Sequence, residues 1–265
     1  MERELSLARR RWWIVAILPV LFALGVALGF ALGGGGVPSF GMPEPVTEQG
    51  RRTHTLWQVL FIAAIGVGAL VWGLIAWSVL RYRGRGDAER VPSQKAYNIP
   101  IEIVYTVAPI VVIIAIFIGT VIVQNKNSAL SASPDVTVQV TGYQWQWKFE
   151  YEAERVTIIG NSQPGSLPEI VLPVDATVQF DLKTADVIHS FWVPKFLTKR
   201  DLIPGVDNKI DVHTTATGTF DGRCAEFCGI NHATMNFVVR VVPRAEYDEW
   251  ITAQQVATTD QAAAG

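Results

Sequence analysis

The sequence predicts a membrane-anchored all-β protein: a transmembrane helical hairpin, preceded by an N-terminal apolar helix or signal peptide, then an antiparallel sandwich or Greek-key barrel. Three observations carry that expectation. Mean hydropathy is +0.26 with only 17% charged residues, a balance typical of chains that lie partly in lipid. Long uncharged runs fill the first half of the 265 residues, and short alternating runs punctuated by Gly and Pro fill the second. Charges nearly cancel, 22 Lys+Arg against 24 Asp+Glu, so no basic excess points to nucleic acid.

Residues 12–32 carry no charge and follow Arg9, Arg10 and Arg11, a basic flank that stays in the cytoplasm. The run exceeds the usual signal-peptide core, which favours a membrane helix, while the small residues around Ala31 and Gly33 suit a signal peptidase. Both readings of residues 1–35 stay open. No Cys lies nearby, so the lipid-anchored bacterial signal is excluded. Residues 36–55 read as a linker. Residues 56–80 are uncharged and closed by Arg81, Arg83 and Arg85, and 101–123 carry a single charge, Glu102. Both runs are long enough to span a bilayer, giving two transmembrane helices within 56–124. Their basic connection, with Arg90 and Lys95, marks the cytoplasmic side and sends everything after Gln124 outside.

Alternating runs at 136–140, 177–180, 209–212 and 237–241, without helical patterns between them, predict the β domain over 131–250. Residues 245–256 read as a short helix, with a flexible tail over 251–265.

Both cysteines of the protein fall in Cys224-Ala225-Glu226-Phe227-Cys228-Gly229-Ile230-Asn231-His232-Ala233-Thr234-Met235. Cys, Cys, His and Met thus share one loop between strand-like segments, and His189 ends another apparent strand. Two cysteines in an exported domain ordinarily form a disulfide. A disulfide, however, has no use for His232 and Met235, and so small a closed loop yields little entropic benefit. Zinc could take Cys224, Cys228, His232 and His189 but seldom uses a thioether. Thiolate, thioether and imidazole together suit copper, and a mononuclear blue-copper centre needs only one Cys. With two bridging thiolates, two coppers can each take one His. Met235 and a backbone carbonyl such as that of Glu226 then fill the weak positions.

The loop C-x-E-x-C-x3-H-x2-M with the upstream Asp186-Val187-Ile188-His189-Ser190 resembles the CuA domain of cytochrome c oxidase subunit II. The resemblance runs from about residue 54 to about residue 250 and implies a cupredoxin-like Greek-key β-barrel. It also implies His189, Cys224, Glu226 through its carbonyl, Cys228, His232 and Met235 as ligands of a dinuclear copper centre. The chain would be the electron-accepting subunit of a proton-translocating, aa3-type cytochrome c oxidase, taking electrons from cytochrome c and passing them to haem in subunit I, where dioxygen is reduced to water. Implied partners are subunit I, other oxidase subunits, cytochrome c and membrane lipid, with no nucleic acid. The implied location is the bacterial cell membrane, multi-pass, with the CuA domain on the outer face.

Other residues divide between ordinary and functional readings. The alternation Gly142-Tyr143-Gln144-Trp145-Gln146-Trp147-Lys148-Phe149-Glu150-Tyr151 is that of a half-buried aromatic strand. The resemblance makes Trp145 the point where electrons arrive, and it leaves Trp147 as packing. Asp186, Glu150, Glu152, Asp181 and Glu226 could form an acidic rim that steers a basic haem protein. The resemblance further suggests a magnesium or manganese ion shared with subunit I through Glu226, and Glu102 as the entrance of a proton path. Glu102 could equally favour a helix N-terminus. None of the three apolar spans holds a histidine, so no oxygen-reducing haem–copper site lies in this chain.

Overall fold

Thr47 starts the first described helix. Its hydroxyl accepts the Gly50 N–H at 3.0 Å, satisfying one orphan donor of the first turn, and Glu48 pairs with Arg52 one turn on at 2.8 Å. The computed structural model describes residues 38–83, 94–161 and 167–264. The N-terminal span expected at 12–32, and most of the basic connection, lie outside them. Helix α1 (Glu48–Arg81) and helix α2 (Ile99–Ser128) are the candidate membrane spans among the described residues, with window hydropathies of 2.5 and 2.8. Apolar side chains stand outward along both, among them Trp72, Leu80, Ile113 and Phe117, as a lipid-facing helix requires.

Helix α1 begins eight residues before the expected span. The helix therefore takes in part of the segment read as a linker, because Thr47 caps a polar first turn that an uncharged-run criterion passes over. Gly41–His54 packs with the outer domain, not with the apolar part of α1. Thr47 bridges to Thr214, Val46 N–H donates to the Lys195 carbonyl at 3.1 Å, and Gln49 Oε1 accepts the His213 N–H at 2.9 Å. Gly50 is required there: a Cβ would fall 2.8 Å from the Phe196 carbonyl oxygen.

The outer domain is two five-stranded sheets. The first contains β1 (Val136–Tyr143), β2 (Gln146–Tyr151), β3 (Val156–Asn161), β5 (Thr177–Thr184) and β8 (Asn208–His213), in the order β3-β2-β1-β5-β8. The second contains β4 (Glu169–Pro173), β6 (His189–Val193), β7 (Thr198–Leu202), β9 (Gly218–Cys224) and β10 (Asn236–Val242), in the order β4-β10-β9-β6-β7. The four alternating runs read from the sequence lie inside β1, β5, β8 and β10. The sheets are mixed, however: β1 pairs with β5 and β10 with β4 in parallel. Strands distant in sequence meet this way in a Greek key, where local alternation carries no information about the partner.

Alternate residues of the strands point inward, as in Val136, Val138 and Val140 of β1 and Trp147, Phe149 and Tyr151 of β2. Aromatic rings fill the centre. Phe237 stacks on Phe191 at 5.0 Å and meets Trp147 edge-on at 5.2 Å. Opposite Phe237 in the β9–β10 register stands Gly222, whose absent side chain leaves room for the ring. The buried Tyr151 hydroxyl donates to the Val171 carbonyl and accepts the Val171 N–H, at 2.8 and 3.0 Å, joining the two sheets and satisfying that hydroxyl.

Helix α3 (Arg244–Ala264) closes the chain. It runs through the segment expected to be a flexible tail, because Tyr247 and Ile251 bury one face against the sandwich and the Gln255 amide donates to the Glu154 carbonyl at 2.6 Å. An alanine at Gly222 would place its Cβ 2.1 Å from the Phe237 ring. Gly222→Ala should therefore cost about 1–3 kcal/mol, seen as a lower thermal unfolding temperature of the full chain, and an unchanged transition would contradict the packing described.

Candidate metal centre

Three connections converge on one group of sulfur and nitrogen atoms: the β1–β2 turn, the β5–β6 loop and the long β9–β10 loop. Phe191 of β6 pairs with Cys224 of β9, and His189, two residues back on β6, faces the same side and is fully buried. The β9–β10 loop is closed at its base by the Cys224 N–H on the Met235 carbonyl at 2.9 Å. A single 3-10 turn over His232–Thr234, with Gly229 at φ +120°, folds the loop back, a conformation that side chains rarely adopt.

The result is a continuous row of donors. His189 Nδ1 lies 3.8 Å from Cys224 Sγ, which lies 3.8 Å from Cys228 Sγ, which lies 3.6 Å from His232 Nδ1. Met235 Sδ, fully buried, is 3.8 Å from Cys228 Sγ. The Glu226 carbonyl oxygen is 3.3 Å from Cys224 Sγ. His189, Cys224 and Cys228 place their ligand atoms within 4.8 Å of one another. All six donors singled out in the sequence thus meet, and both cysteines are free, so the disulfide reading does not hold. Two sulfurs, two imidazoles, a thioether and a carbonyl are a soft set that fits copper.

Neighbouring groups set the donors' orientation and charge. Asp186 Oδ1 lies 2.8 Å from His189 Nε2 and accepts the Val187 N–H, while Oδ2 accepts the Gln144 N–H at 2.7 Å. This assigns the proton of His189 to Nε2 and leaves Nδ1 aimed at sulfur. Burial works against a charged imidazole at His189, yet the Cys224 sulfur and the Asp186 carboxylate outweigh it and raise its pKa. Burial likewise opposes ionisation of Cys224, but hydrogen bonds from His189 and the backbone prevail and lower it to about 6. Burial and the Cys224 charge together push Cys228 up to about 12. Without metal the pair therefore behaves as one thiolate beside one thiol.

Three contacts were not foreseen from the sequence. The Trp147 indole, expected only to pack, donates to the Met235 carbonyl at 3.2 Å. The Gln144 amide and the Trp145 indole both donate to the Cys228 carbonyl, at 2.8 and 3.1 Å. Trp145 thus belongs to the site. Of the expected acidic rim, Asp186 and Glu226 flank the donors. Glu150 and Asp181 lie on strands β2 and β5 and are matched by Lys148, Lys183 and Lys209. Glu226 and Asp201 share Lys199, at 3.7 and 3.1 Å. Glu102 belongs to the other compact unit, where its carboxylate accepts the Asn98 N–H at 2.7 Å in the first turn of α2.

Comparison with known proteins shows the family. The family described as cytochrome c oxidase subunit II, periplasmic domain, matches residues 166–242. A probable cytochrome c oxidase subunit 2 of Streptomyces avermitilis is 39% identical over 248 residues, covering 80% of this chain and 78% of the relative. The chain belongs to the cytochrome c oxidase subunit II family. Another subunit 2, from Corynebacterium glutamicum, is 34% identical over 80% of this chain and 75% of its own length. Among solved structures, the periplasmic domain of subunit II of the Bradyrhizobium japonicum cytochrome oxidase is 33% identical, with a TM-score of 0.45 over 48% of this chain and 99% of that one. As a subunit II, the chain is a member of a respiratory cytochrome c oxidase complex, anchored in the membrane and carrying its β-sandwich domain on the outer face.

In the metal-free chain, thiolate absorbance in the ultraviolet should rise by one thiolate at a pH of about 6. Cys224→Ser should remove that step and Cys228→Ser should retain it. Two equal steps in the ordinary thiol range would contradict the assignment.

Proposed function

We propose that this subunit accepts electrons one at a time from cytochrome c at a dinuclear CuA centre and passes them to haem in subunit I of an aa3-type, proton-translocating oxidase. The observation that carries the reading is the pair of free sulfurs 3.8 Å apart, each with an imidazole nitrogen beside it. His189, Cys224, the Glu226 carbonyl, Cys228, His232 and Met235 would hold the metal. When bound there, a copper pair would supply a one-electron carrier.

The chain's own residues provide rigidity and a route. Asp186 fixes the His189 ring, and Trp147 and the Cys224 N–H fix Met235 through its carbonyl, so the donors need to move little when an electron arrives. Burial of His189, Cys224, Cys228 and Met235 disfavours an exchangeable copper carrier, which needs an exposed site. The Trp145 indole reaches the Cys228 carbonyl by one hydrogen bond, a direct link from an aromatic ring of the β1–β2 turn to a metal-facing residue. Beside it, Phe227 and Ile230 are 78% and 86% exposed, an apolar loop tip that suits a docking protein, and Asp186 supplies a carboxylate for a basic one.

The same reading includes three further assignments. Both helices cross the bilayer, making the protein multi-pass among lipid. Glu102 stands at the entrance of a proton path into subunit I while also capping α2. A magnesium or manganese ion shared with subunit I through the Glu226 carboxylate requires Lys199 to turn away from it.

Cys224→Ser or Cys228→Ser in the assembled oxidase should abolish the electron paramagnetic resonance of a shared-electron copper pair, together with oxygen uptake driven by cytochrome c. Full uptake in both variants would end the proposal. Trp145→Ala should leave copper content intact and slow electron uptake roughly 100-fold, the scale on which a misplacement of about 1 Å acts on rate. Unchanged reduction kinetics would reduce Trp145 to packing.

A further inference from the structure

Two side chains adjacent in sequence donate to one oxygen. The Gln144 amide and the Trp145 indole lie 2.8 and 3.1 Å from the Cys228 carbonyl oxygen, so neighbours in the β1–β2 turn occupy both of its lone pairs. The main-chain N–H of Gln144 donates at 2.7 Å to Asp186, the carboxylate that also holds His189. Gln144 therefore joins the segment carrying His189 to the loop carrying Cys228, and Trp145 is its next residue. Gly229 completes the contact. With φ at +120°, a Cβ there would fall 3.0 Å from the Trp145 ring and 3.2 Å from Gln144 Nε2, so both side chains lie across the Cys228–Gly229 peptide only because that position is bare.

We propose that Gln144 is a positioning residue for electron transfer: it braces the His189 and Cys228 halves of the centre against each other and fixes the Trp145 indole on the Cys228 peptide. The inference rests on the copper reading given above. A single indole N–H on a side chain with two free torsions leaves slack that a second donor, anchored through its own backbone, removes. Only an electron moves in this step, and no bond or proton is exchanged. The amide also turns the positive end of a dipole toward a residue whose sulfur faces the metal, which favours the more negative, reduced state.

The test uses the assembled full-length oxidase with Gln144→Leu and with Gln144→Glu, the second keeping length and planarity while replacing the donor with an acceptor. Both variants should keep two coppers per chain. Both should show a lower reduction potential, an altered copper hyperfine pattern and electron uptake from cytochrome c slowed roughly fivefold, the scale of one lost hydrogen bond. Should Gln144→Leu fail to assemble, Gln144→Glu decides. Unchanged potential, resonance and uptake overturn the inference and leave the copper reading standing. An unsubstituted oxidase without a paired-copper resonance overturns the copper reading itself, and the inference with it.

Discussion

Two sulfur atoms held 3.8 Å apart without a bond between them constrain the rest of the outer domain. Thiols that close gain by oxidising to a disulfide or by binding a soft metal, and the surroundings decide between these outcomes. Here an imidazole nitrogen stands beside each sulfur, a thioether closes one side and a carbonyl approaches the other. The low pKa of Cys224 and the high pKa of Cys228 express the same crowding: two negative charges do not fit in a buried space this small unless a cation is added.

The sandwich supplies the stiffness that such a site needs. His189 and Cys224 come from two strands joined by ladder pairing, and Met235 is tied to Cys224 through the backbone. Beneath them lies the aromatic core, from which Trp147 reaches up to the Met235 carbonyl. Rings of fixed shape in low-energy packing resist displacement, so the donors are held by groups that do not themselves take part in coordination. Within the same compact unit, Thr47 and Gln49 dock the first turn of α1 onto the sandwich.

Much of this was legible in the sequence, for identifiable reasons. The donor set could be read because rare residues crowd into one short loop, and rarity survives without knowledge of the fold. The two long apolar helices could be read because their uncharged runs are long enough to stand out from the rest of the chain. The start of α1 was missed because its first turn is polar and owes its helicity to Thr47 and to packing against Phe196. The helix read over 245–256 continues to Ala264, a continuation missed because the stretch past Ile251 is polar and offers few apolar anchors. Parallel pairing of β1 with β5 is a property of topology that alternation cannot encode. Gln144 gave no signal, since a glutamine on an aromatic strand looks like any solvent-facing residue until the carbonyl it meets is known.

The most direct measurement is X-ray absorption at the copper edge of the intact oxidase, restricted to the outer-domain signal by comparison with a preparation depleted of that copper. A short copper–copper scattering path, with two sulfurs and one imidazole around each metal, is the result expected from the paired cysteines. A single copper with one sulfur neighbour, or no metal at Cys224 and Cys228, would contradict it.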